Sequence, residues 1–385
     1  MIESIELKNF KSIKKKYFPL RKLNLLLGLN GMGKSSFIQS LLLLKQSNIF
    51  DSKYLDLNRK DSYVKIGTTK DARYQYSKKD EDVSIALQFK GDEAIDMKFG
   101  YEIESDVMPI KNITFDLLYD LHQKYKSQSL FSNNFQYLNA NRIPPTSNHP
   151  KSYTNVVRNR NIGNYGEFTV HFIETYYNDE VEFTNLLHKD SKTKDELLNT
   201  QITNKTLINQ INLWMGEISP GINIKTTSIS SEEVLLEYTF KQRNFGNTSK
   251  FKPENVGFGV SYSLHVVTAL LAAKPGELII IENPESHVHP KGQAEIGKLI
   301  ALTAMNDVQI IVETHSDHVI NGIRVAIKDN PTLKDETILF YFDKKFTESE
   351  QYSQITDIKM DKNGTLSEEP HGLLDEWGNQ LLKLL

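Results

Sequence analysis

The chain has 385 residues, of which 39% are hydrophobic and 25% charged, with a formal net charge of −3. This composition is typical of a globular protein large enough for two lobes, and the charge gives no global sign of nucleic-acid binding. The absence of cysteine excludes disulfides and thiolate metal sites. No apolar run is long enough to span a membrane, and MIESIELKNF lacks a signal-peptide core, so we expect a cytoplasmic protein.

The amino-terminal part predicts a strand, a glycine loop and a helix in succession. Residues 2–7 alternate between apolar and polar, and residues 18–27 form an apolar run that ends at Gly28. After Lys34, apolar residues recur at helical spacing. Strand, loop and helix therefore follow one another within about 50 residues.

The middle of the chain is less regular. Residues 83–89 and 97–103 alternate cleanly around Gly91-Asp92, which predicts an antiparallel hairpin. The stretch 131–166, with Pro144-Pro145 and the motif NVVRNRNIGNYG, is Asn-rich and predicts irregular structure or a surface loop. Helical spacing is present at 112–127, 167–188 and 204–216.

From residue 255 onward, helical patterns alternate with buried strands. GELIIIE and VQIIVET are continuous apolar strands between helices, which is typical of a parallel sheet covered on both faces. ILFYFD and QITDIKM predict a closing antiparallel pair, and GLLDEWGNQLLKLL a final amphipathic helix. We expect an α/β fold divided into four parts: 1–75, 76–250, 251–335 and 336–385.

Residues Gly28 to Ser35 match the pattern G-x-x-x-x-G-K-[ST]. Such a loop curls its backbone N–H groups around phosphate oxygens at a helix N-terminus. Lys34 is then placed to reach the β- and γ-phosphates, and the Ser35 hydroxyl to bind Mg²⁺. An ordinary tight turn before a helix is the alternative. The residues expected to hold ATP here are Asn30, Gly31, Gly33, Lys34, Ser35 and Ser36.

A second candidate region follows the two buried strands. Glu282 ends the first of them, at the edge where α/β sheets bind ligands, and can hold Mg²⁺ directly or through water. Thr314-His315-Ser316 ends the next strand in the same way. His287 and His289 with Glu285 could form a metal site, although a turn packed near the nucleotide explains them as well.

Several motifs together carry a resemblance. IELKNFKSI, GLNGMGKSS, VGFGVSYSL, IIIENPESHVHP and VETHSDH occur in the order seen in ABC-type ATPases of the structural-maintenance, RecF and OLD group. With YLNANRIPP, GNYGEF and the closing GLLDEWGNQLLKLL, the chain more narrowly resembles small prokaryotic AAA-family ATPases of the AAA15 and AAA21 type. The resemblance implies a P-loop ATPase head with an antiparallel β lobe and a mixed helical insertion.

In that group two heads enclose two ATP molecules, and the resemblance implies roles for particular residues here. Gly257 to Ser261, with Ser261 as its hydroxyl, would be the signature motif that touches the γ-phosphate of the other head. His315 would be the switch histidine, and Gln46 would link Mg²⁺ to the partner lobe. Arg142 could reach the nucleotide or the interface, or be an ordinary surface arginine.

One departure affects the predicted chemistry. The position after the Mg²⁺-binding acid is usually a Glu that activates water, and this sequence has Asn283. An amide can orient a water but cannot take its proton. Either Glu285 substitutes as the base, or hydrolysis is slow and the ATP-bound assembly is long-lived.

The resemblance further implies a homodimer or higher homo-oligomer that acts in prokaryotic defence through a separately encoded, nuclease-like effector. One alternative is a RecF-like ATPase that acts on DNA directly, supported by Lys11 and the run Lys14 to Lys16. A solvated strand edge explains these lysines equally well. Another alternative is a nucleotide-gated scaffold with little hydrolysis. A transporter ATPase is disfavoured by the RecF-like start.

Overall fold

The computed structural model describes residues 1–60, 62–78, 80–195, 200–242, 246–370 and 372–384. They form two compact units. The first comprises Met1–Ser132, Thr337–Lys359 and Leu366–Leu385, and the second comprises Asn133–Glu336 and Met360–Thr365. The four-part division expected from the sequence stays a prediction.

Strands and helices are numbered in chain order. The strands are β1 (Ile2–Phe10), β2 (Ile13–Pro19), β3 (Leu23–Gly28), β4 (Tyr54–Asp56), β5 (Val83–Phe89), β6 (Ile95–Phe99), β7 (Val107–Pro109), β8 (Phe135–Leu138), β9 (Asn148–Pro150), β10 (Lys192–Asp195), β11 (Thr200–Thr203), β12 (Ile222–Ser228), β13 (Glu233–Gln242), β14 (Gly246–Asn247), β15 (Leu278–Glu282), β16 (Gln309–Glu313), β17 (Thr337–Phe346) and β18 (Gln351–Ile358). The α-helices are α1 (Lys34–Ser47), α2 (Ile49–Ser52), α3 (Thr69–Ala72), α4 (Phe115–Tyr125), α5 (Thr169–Thr175), α6 (Leu207–Ile218), α7 (Phe258–Leu271), α8 (Pro290–Ala304), α9 (Asp317–Asp329) and α10 (Glu376–Leu382).

An antiparallel sheet in the order β2-β1-β5-β6 forms one layer of the first unit. Buried side chains alternate with half-buried ones along β5 and with exposed ones along β6, as expected for a sheet with one buried face. The predicted hairpin is confirmed, but its second strand is β6 and not 97–103. The strand ends at Phe99 because the Gly100 N–H turns away to donate to the Pro109 carbonyl (2.8 Å).

The sequence predicted one strand over the apolar run 18–27, but the structure divides this run between two strands. Proline 19 ends β2, and β3 begins only at Leu23. Between them, Asn24 closes a turn on Arg21: the Arg21 N–H donates to Asn24 Oδ1 (2.8 Å) and Asn24 Nδ2 to the Arg21 carbonyl (2.7 Å). Phe18 therefore belongs to the antiparallel sheet, and only β3 leads into the glycine loop.

A second set of strands in the first unit carries that loop. β17 pairs parallel with β3 and antiparallel with β18, which confirms the predicted closing pair. The ring of Phe18 lies 4.5 Å from that of Phe37 on α1 and 5.2 Å from that of Phe340 on β17. Contacts among these fully buried rings pack α1 and β17 against β2 of the antiparallel sheet. The predicted tail helix is present as α10.

In the second unit, β15 lies between β8 and β16 and pairs parallel with both. Their residues are almost continuously buried, as in parallel sheets generally. The strands and helices predicted after residue 255 are confirmed. Register pairing of Glu282 with Glu313 and of Ile281 with Leu138 places the carboxyl ends of the three strands at one edge.

Two expectations for the middle of the chain were wrong in part. The stretch 131–166 contains β8, a fully buried strand of four residues that shows no alternation and is too short to stand out by pattern. The helix expected over 167–188 is only α5. Its continuation is lost because the Val181 N–H donates to the Lys205 carbonyl (3.0 Å), so the chain pairs with a later segment instead. Within the described residues, no helix has the length and apolarity to cross a membrane.

Candidate nucleotide-binding site

The glycines of the loop after β3 adopt conformations that disfavour other residues. Gly28, Gly31 and Gly33 have φ angles of 126°, 78° and 110°. A Cβ on Gly28 would lie 2.1 Å from the Phe342 carbonyl oxygen on β17. Steric contact at Gly28 and backbone conformation at all three positions therefore account for the glycines. The resulting loop ends at the N-terminus of α1, where backbone dipoles favour an anion.

Lys34, the first residue of α1, is 3% exposed. Its Nζ donates to the carbonyl oxygens of Gly28 (2.8 Å) and Leu29 (2.9 Å). The ammonium is thus held over the loop by the loop's own backbone. A positive charge in this position fits a polyphosphate in the loop.

Three serine hydroxyls form a hydrogen-bonded cluster that contacts the glycine loop. Ser353 on β18 donates to the Met32 carbonyl (2.6 Å) and is hydrogen-bonded to the Ser12 hydroxyl (2.7 Å). Ser12 in turn lies 3.4 Å from the Ser36 hydroxyl. Ser12 and Ser353 therefore support the loop, and no pattern in the sequence indicated either of them.

The remaining loop residues differ in exposure. Asn30 and Ser35 are exposed, whereas Ser36 is buried. Ser35 therefore lies at the surface of the first turn of α1, in keeping with an ion-binding hydroxyl. Ser36 packs inward towards Ser12, which makes it a supporting residue of the loop.

Gln46 lies near the other end of α1, and its side-chain amide forms hydrogen bonds with the backbone of a following segment. Nε2 donates to the carbonyls of Asp56 (2.8 Å) and Val64 (3.1 Å), and Oε1 accepts the Val64 N–H (3.0 Å). In this arrangement Gln46 holds the segment 54–64 against α1. The predicted link from Gln46 to Mg²⁺ stays a prediction, and it would use only the second lone pair of Oε1.

In the second unit, Glu282 ends β15 and is contacted from β8. The Tyr137 hydroxyl donates to Glu282 Oε1 (3.0 Å) and the Ala140 N–H to Oε2 (3.4 Å). Burial raises the pKa of the Glu282 carboxyl, while these two donors and the Arg142 charge oppose that rise. Glu282 is therefore held in a defined orientation but retains oxygen lone pairs that could face a cation.

Arg142 is buried, with 1% exposure, and does not lie at the surface. Nη2 donates to the Glu282 carbonyl (2.5 Å) and Nη1 to the Asn283 carbonyl (3.2 Å). Tyr262 on α7 donates its hydroxyl to the Arg142 carbonyl (3.2 Å). Burial lowers the pKa of the guanidinium to about 10. Arg142 therefore fixes the backbone at the end of β15. Its burial contradicts the alternative of an ordinary surface arginine, and a contact with the nucleotide or the interface stays a prediction.

The residues after Glu282 turn sharply and reach β16. Asn283 has a φ of 45°, and its N–H donates to the Glu313 carbonyl (2.8 Å). The Asn283 Oδ1 is buried and accepts no hydrogen bond from any described residue. Both oxygens of Glu285 are engaged, Oε2 by the Thr314 hydroxyl and Oε1 by the His315 N–H (2.8 Å each). Glu285 thus joins the two strand ends.

His315 is exposed at the end of β16. It lines an open cleft of about 340 Å³ together with Glu285, Gln293, Ser316, Asp317 and His318. Ser316 caps α9 by accepting the N–H groups of His318 and Val319 (3.1 Å each). The structure therefore brings together Glu285 and His315, two of the predicted catalytic residues, whose roles stay predictions.

The predicted signature segment begins α7. Ser261 is 5% exposed, and its hydroxyl lies 3.3 Å from the Tyr238 hydroxyl. Phe258 is 53% exposed. A Cβ on Gly259 would lie 2.3 Å from the His287 carbonyl oxygen, so this glycine permits close packing. The start of the helix, and not the Ser261 side chain, is the part that faces outward.

The alternative metal reading of Glu285, His287 and His289 finds no support among the described residues, which contain no group of three or more His, Cys, Asp or Glu placed to hold a metal. His289 Nδ1 accepts the Lys291 N–H (3.3 Å) at the start of α8. The His287 ring lies 5.2 Å from that of Tyr262 and 5.6 Å from that of Phe258. These histidines cap a helix and pack beside α7.

Two family models match this chain. Residues 23–321 match the model of a family described as "AAA domain, putative AbiEii toxin, Type IV TA system". Residues 334–384 match one described as "Protein of unknown function (DUF3696)". No curated protein matches the chain.

Among solved structures, a Smc head bound to the C-terminal winged-helix domain of ScpA is similar, with 14% identity, a TM-score of 0.54 and coverage of 92% of this chain and 98% of the other. A Smc head domain with an extended coiled coil, bound to the C-terminal domain of ScpA and derived from Pyrococcus furiosus, has 13% identity, a TM-score of 0.50 and coverage of 100% and 99%. These likenesses confirm the predicted fold, which is that of an SMC-like head. With the match over residues 23–321, the chain belongs to the AAA_21 family of AAA-domain ATPases.

Proposed function

We propose that this chain binds and slowly hydrolyses ATP, assembles as a dimer or higher homo-oligomer around the nucleotide, and controls a separately encoded effector in prokaryotic defence. The observation that carries the proposal is the buried Lys34, whose Nζ lies 2.8 Å from the Gly28 carbonyl over a glycine loop at a helix N-terminus. This arrangement fits a triphosphate.

Ser35 and Glu282 are the residues that we propose as Mg²⁺ ligands. The exposed Ser35 hydroxyl and the oriented Glu282 carboxylate are hard oxygen donors, which suit this ion. When bound, the ion would neutralise charge on the phosphates. Lys34 would bind the same phosphates from the loop.

Slow hydrolysis is supported by the residues around Asn283. The amide at this position can orient water but cannot accept its proton. Glu285, the nearest substitute, has both oxygens engaged by Thr314 and His315. We infer that Glu285 mainly positions His315, which would sense the γ-phosphate, and that proton removal is inefficient. A long-lived ATP state suits a switch.

Assembly is proposed because the start of α7 is exposed and the family resemblance pairs such segments with the nucleotide of another head. Phe258 is 53% exposed there, and Gly259 lets the segment pack closely on His287. The helix N-terminus offers backbone donors to an anion. Since Ser261 is buried, these backbone groups are the better candidates for the contact across the interface.

The test is ATP hydrolysis and molecular mass, with and without ATP, for the wild type, Lys34→Ala and Glu285→Gln. Glu232→Gln, at an exposed position on the loop before β13, is the matched control for loss of a carboxylate. We expect slow turnover and an ATP-dependent mass increase in the wild type and the control. Lys34→Ala should abolish both.

Glu285→Gln tests whether Glu285 contributes to hydrolysis, and the wild type tests whether hydrolysis occurs at all. If Glu285 positions His315, the variant should hydrolyse ATP more slowly and still assemble. If the wild type binds ATP and changes mass but hydrolyses no faster than Lys34→Ala, hydrolysis is disproved and the chain is a nucleotide-gated scaffold. An unchanged mass in the wild type would contradict assembly around nucleotide.

The RecF-like alternative loses its main sequence argument. Lys14 pairs with Glu350 (2.5 Å), Lys15 with Glu6 (3.2 Å) and Lys16 with Asp357 (2.6 Å). Burial lowers the pKa of Lys11, and its Nζ donates to Gln39 Oε1 (2.8 Å). Lysines 14 to 16 are therefore matched by nearby carboxylates and do not form an unbalanced basic surface.

A further inference from the structure

The motif NVVRNRNIGNYG has no part in the proposed ATPase chemistry, yet the structure places its arginines in a cleft of the second unit. The cleft has a volume of about 170 Å³. Its lining residues are Asn133, Asn134, Arg158, Asn159, Arg160, Ala272, Lys274 and Glu277. Amide, guanidinium and ammonium groups thus outnumber the single carboxylate.

The cleft lies at the opposite sheet edge from Glu282. Asn134 immediately precedes β8, and Glu277 immediately precedes β15, so both lie at the amino ends of these parallel strands. Glu282 lies at the carboxyl end of β15. The cleft is therefore distinct from the acid-bearing part of the candidate nucleotide site.

Within the described chain, the guanidinium groups of Arg158 and Arg160 make no hydrogen bond or ion pair with a carboxylate. Arg158 is exposed. Arg160 has a φ of 48°, and its guanidinium carbon lies 4.2 Å from the centre of the Tyr176 ring and 5.5 Å from that of Phe172. Stacking on two aromatic rings holds the Arg160 side chain while its N–H groups remain available.

The other charged groups at the cleft are already balanced. Lys274 Nζ pairs with Glu182 (2.8 Å), and the Lys274 N–H donates to Glu277 Oε2 (2.9 Å). Asn133 Nδ2 donates to Asn159 Oδ1 (2.9 Å), which links the two sides. The two arginines therefore leave an excess of N–H donors and of positive charge, which Glu277 and Glu182 reduce near Arg160.

We propose that this cleft binds a phosphate group of a ligand, through Arg158 and Arg160, with Glu277 weakening the binding when it is ionised. Planar guanidinium groups bind phosphate oxygens in pairs, and the cleft is large enough for one phosphate and its link to a larger molecule. The phosphate could come from a nucleic-acid backbone or from a small phosphorylated molecule. The proposal does not depend on ATP hydrolysis.

The test measures binding of a fluorescent single-stranded ten-residue oligothymidylate, and its displacement by inorganic phosphate, to the full chain. Lys34→Ala is the background in every protein, because it removes phosphate binding by the glycine loop. Arg158→Gln with Arg160→Gln should weaken binding roughly tenfold or more. Lys225→Gln with Lys328→Gln removes the same charge at exposed positions and should change binding by less than about twofold.

Glu277→Gln gives an effect of opposite sign. Burial raises the pKa of Glu277 to about 7, with Arg160 and Lys274 opposing that rise. Binding by the wild-type cleft should therefore weaken between pH 6 and pH 8, as Glu277 ionises. Glu277→Gln should abolish this trend and bind roughly threefold more tightly at pH 8. The phosphodiester probe keeps its charge over this range.

Arg158→Gln alone changes an exposed side chain and serves if the double variant does not fold. The proposal would be overturned if Arg158→Gln bound the probe as tightly as the lysine control does. It would also be overturned if the parent protein bound neither probe. Oligothymidylate binding that phosphate displaces only at high concentration, with a steep salt dependence, assigns the cleft to nucleic acid. Efficient displacement by phosphate assigns it to a small phosphorylated ligand.

Discussion

The glycine loop and the acid-bearing end of β15 are held in place by contacts of different range. Lys34 bonds to carbonyls five and six residues before it in the chain. Glu282 is contacted by Tyr137, which is 145 residues away, and its carbonyl by Arg142, which is 140 residues away. The loop is therefore organised mainly by its own sequence, whereas the acid end depends on distant side chains and should be sensitive to their loss.

The largest effect is expected within the loop. Lys34→Ala removes the positive charge over the glycine loop and should lower the rate of ATP hydrolysis at least about 100-fold, with weaker ATP binding. ATP binding by calorimetry and phosphate release check the prediction. Lys45→Ala, at the other end of α1, is a second lysine variant whose loss should leave ATP affinity within about threefold. If both variants lost ATP affinity equally, the loss would come from a disturbed α1 helix and not from removal of the Lys34 charge.

Arg142→Met tests the distant support of the acid end. It removes the Arg142 donors to the carbonyls of Glu282 and Asn283, of which the Asn283 carbonyl still accepts from Ser286, and should cost about 3 kcal/mol of the free energy of unfolding. Hydrolysis should fall while ATP affinity changes little, because the glycine loop is intact. Urea unfolding and ATP binding measure the two effects.

Arg142→Lys is the matched variant for Arg142→Met. It keeps the charge but cannot donate to two carbonyls with the same planar geometry. Partial recovery of stability and hydrolysis is expected. If ATP affinity fell as steeply as hydrolysis in both variants, Arg142 would act on the nucleotide and not through the end of β15.

The same difference in range explains what the sequence could predict. The glycine loop is readable because Gly28 to Ser35 are consecutive, and β15 and β16 because their apolar runs are continuous. Tyr137 and Arg142 were not assigned these supporting roles, because their partners follow about 140 residues later and β8 is only four residues long. The paired carboxylates of Lys14 and Lys16 were missed for the same reason, since both partners come from the region of β18.

Gly33→Ala sharpens the comparison, because the loop also has distant supports in Ser12 and Ser353. The added Cβ would lie 2.3 Å from the Ser353 hydroxyl and 2.6 Å from that of Ser12, at a φ of 110°. The substitution should cost about 1–3 kcal/mol of stability. The triple variant with Ser12→Ala and Ser353→Ala, compared with the double variant that lacks only these two hydroxyls, separates the two causes. Full recovery would identify the steric contact, whereas the backbone conformation predicts that most of the loss remains.

The smallest effect is expected for Tyr137→Phe, which removes one donor to Glu282 and keeps the ring. Loss of this hydrogen bond should cost about 1 kcal/mol. The hydroxyl favours the ionised carboxylate, so its removal should raise the pKa of Glu282 further above its usual range. If ionised Glu282 is needed for hydrolysis, the acid limb of the pH–rate profile should move to higher pH by less than about one unit. Tyr165→Phe, at an exposed tyrosine of the same unit, is the control. A lower rate with an unmoved acid limb would mean that Tyr137 supports the strand end without acting on the Glu282 charge.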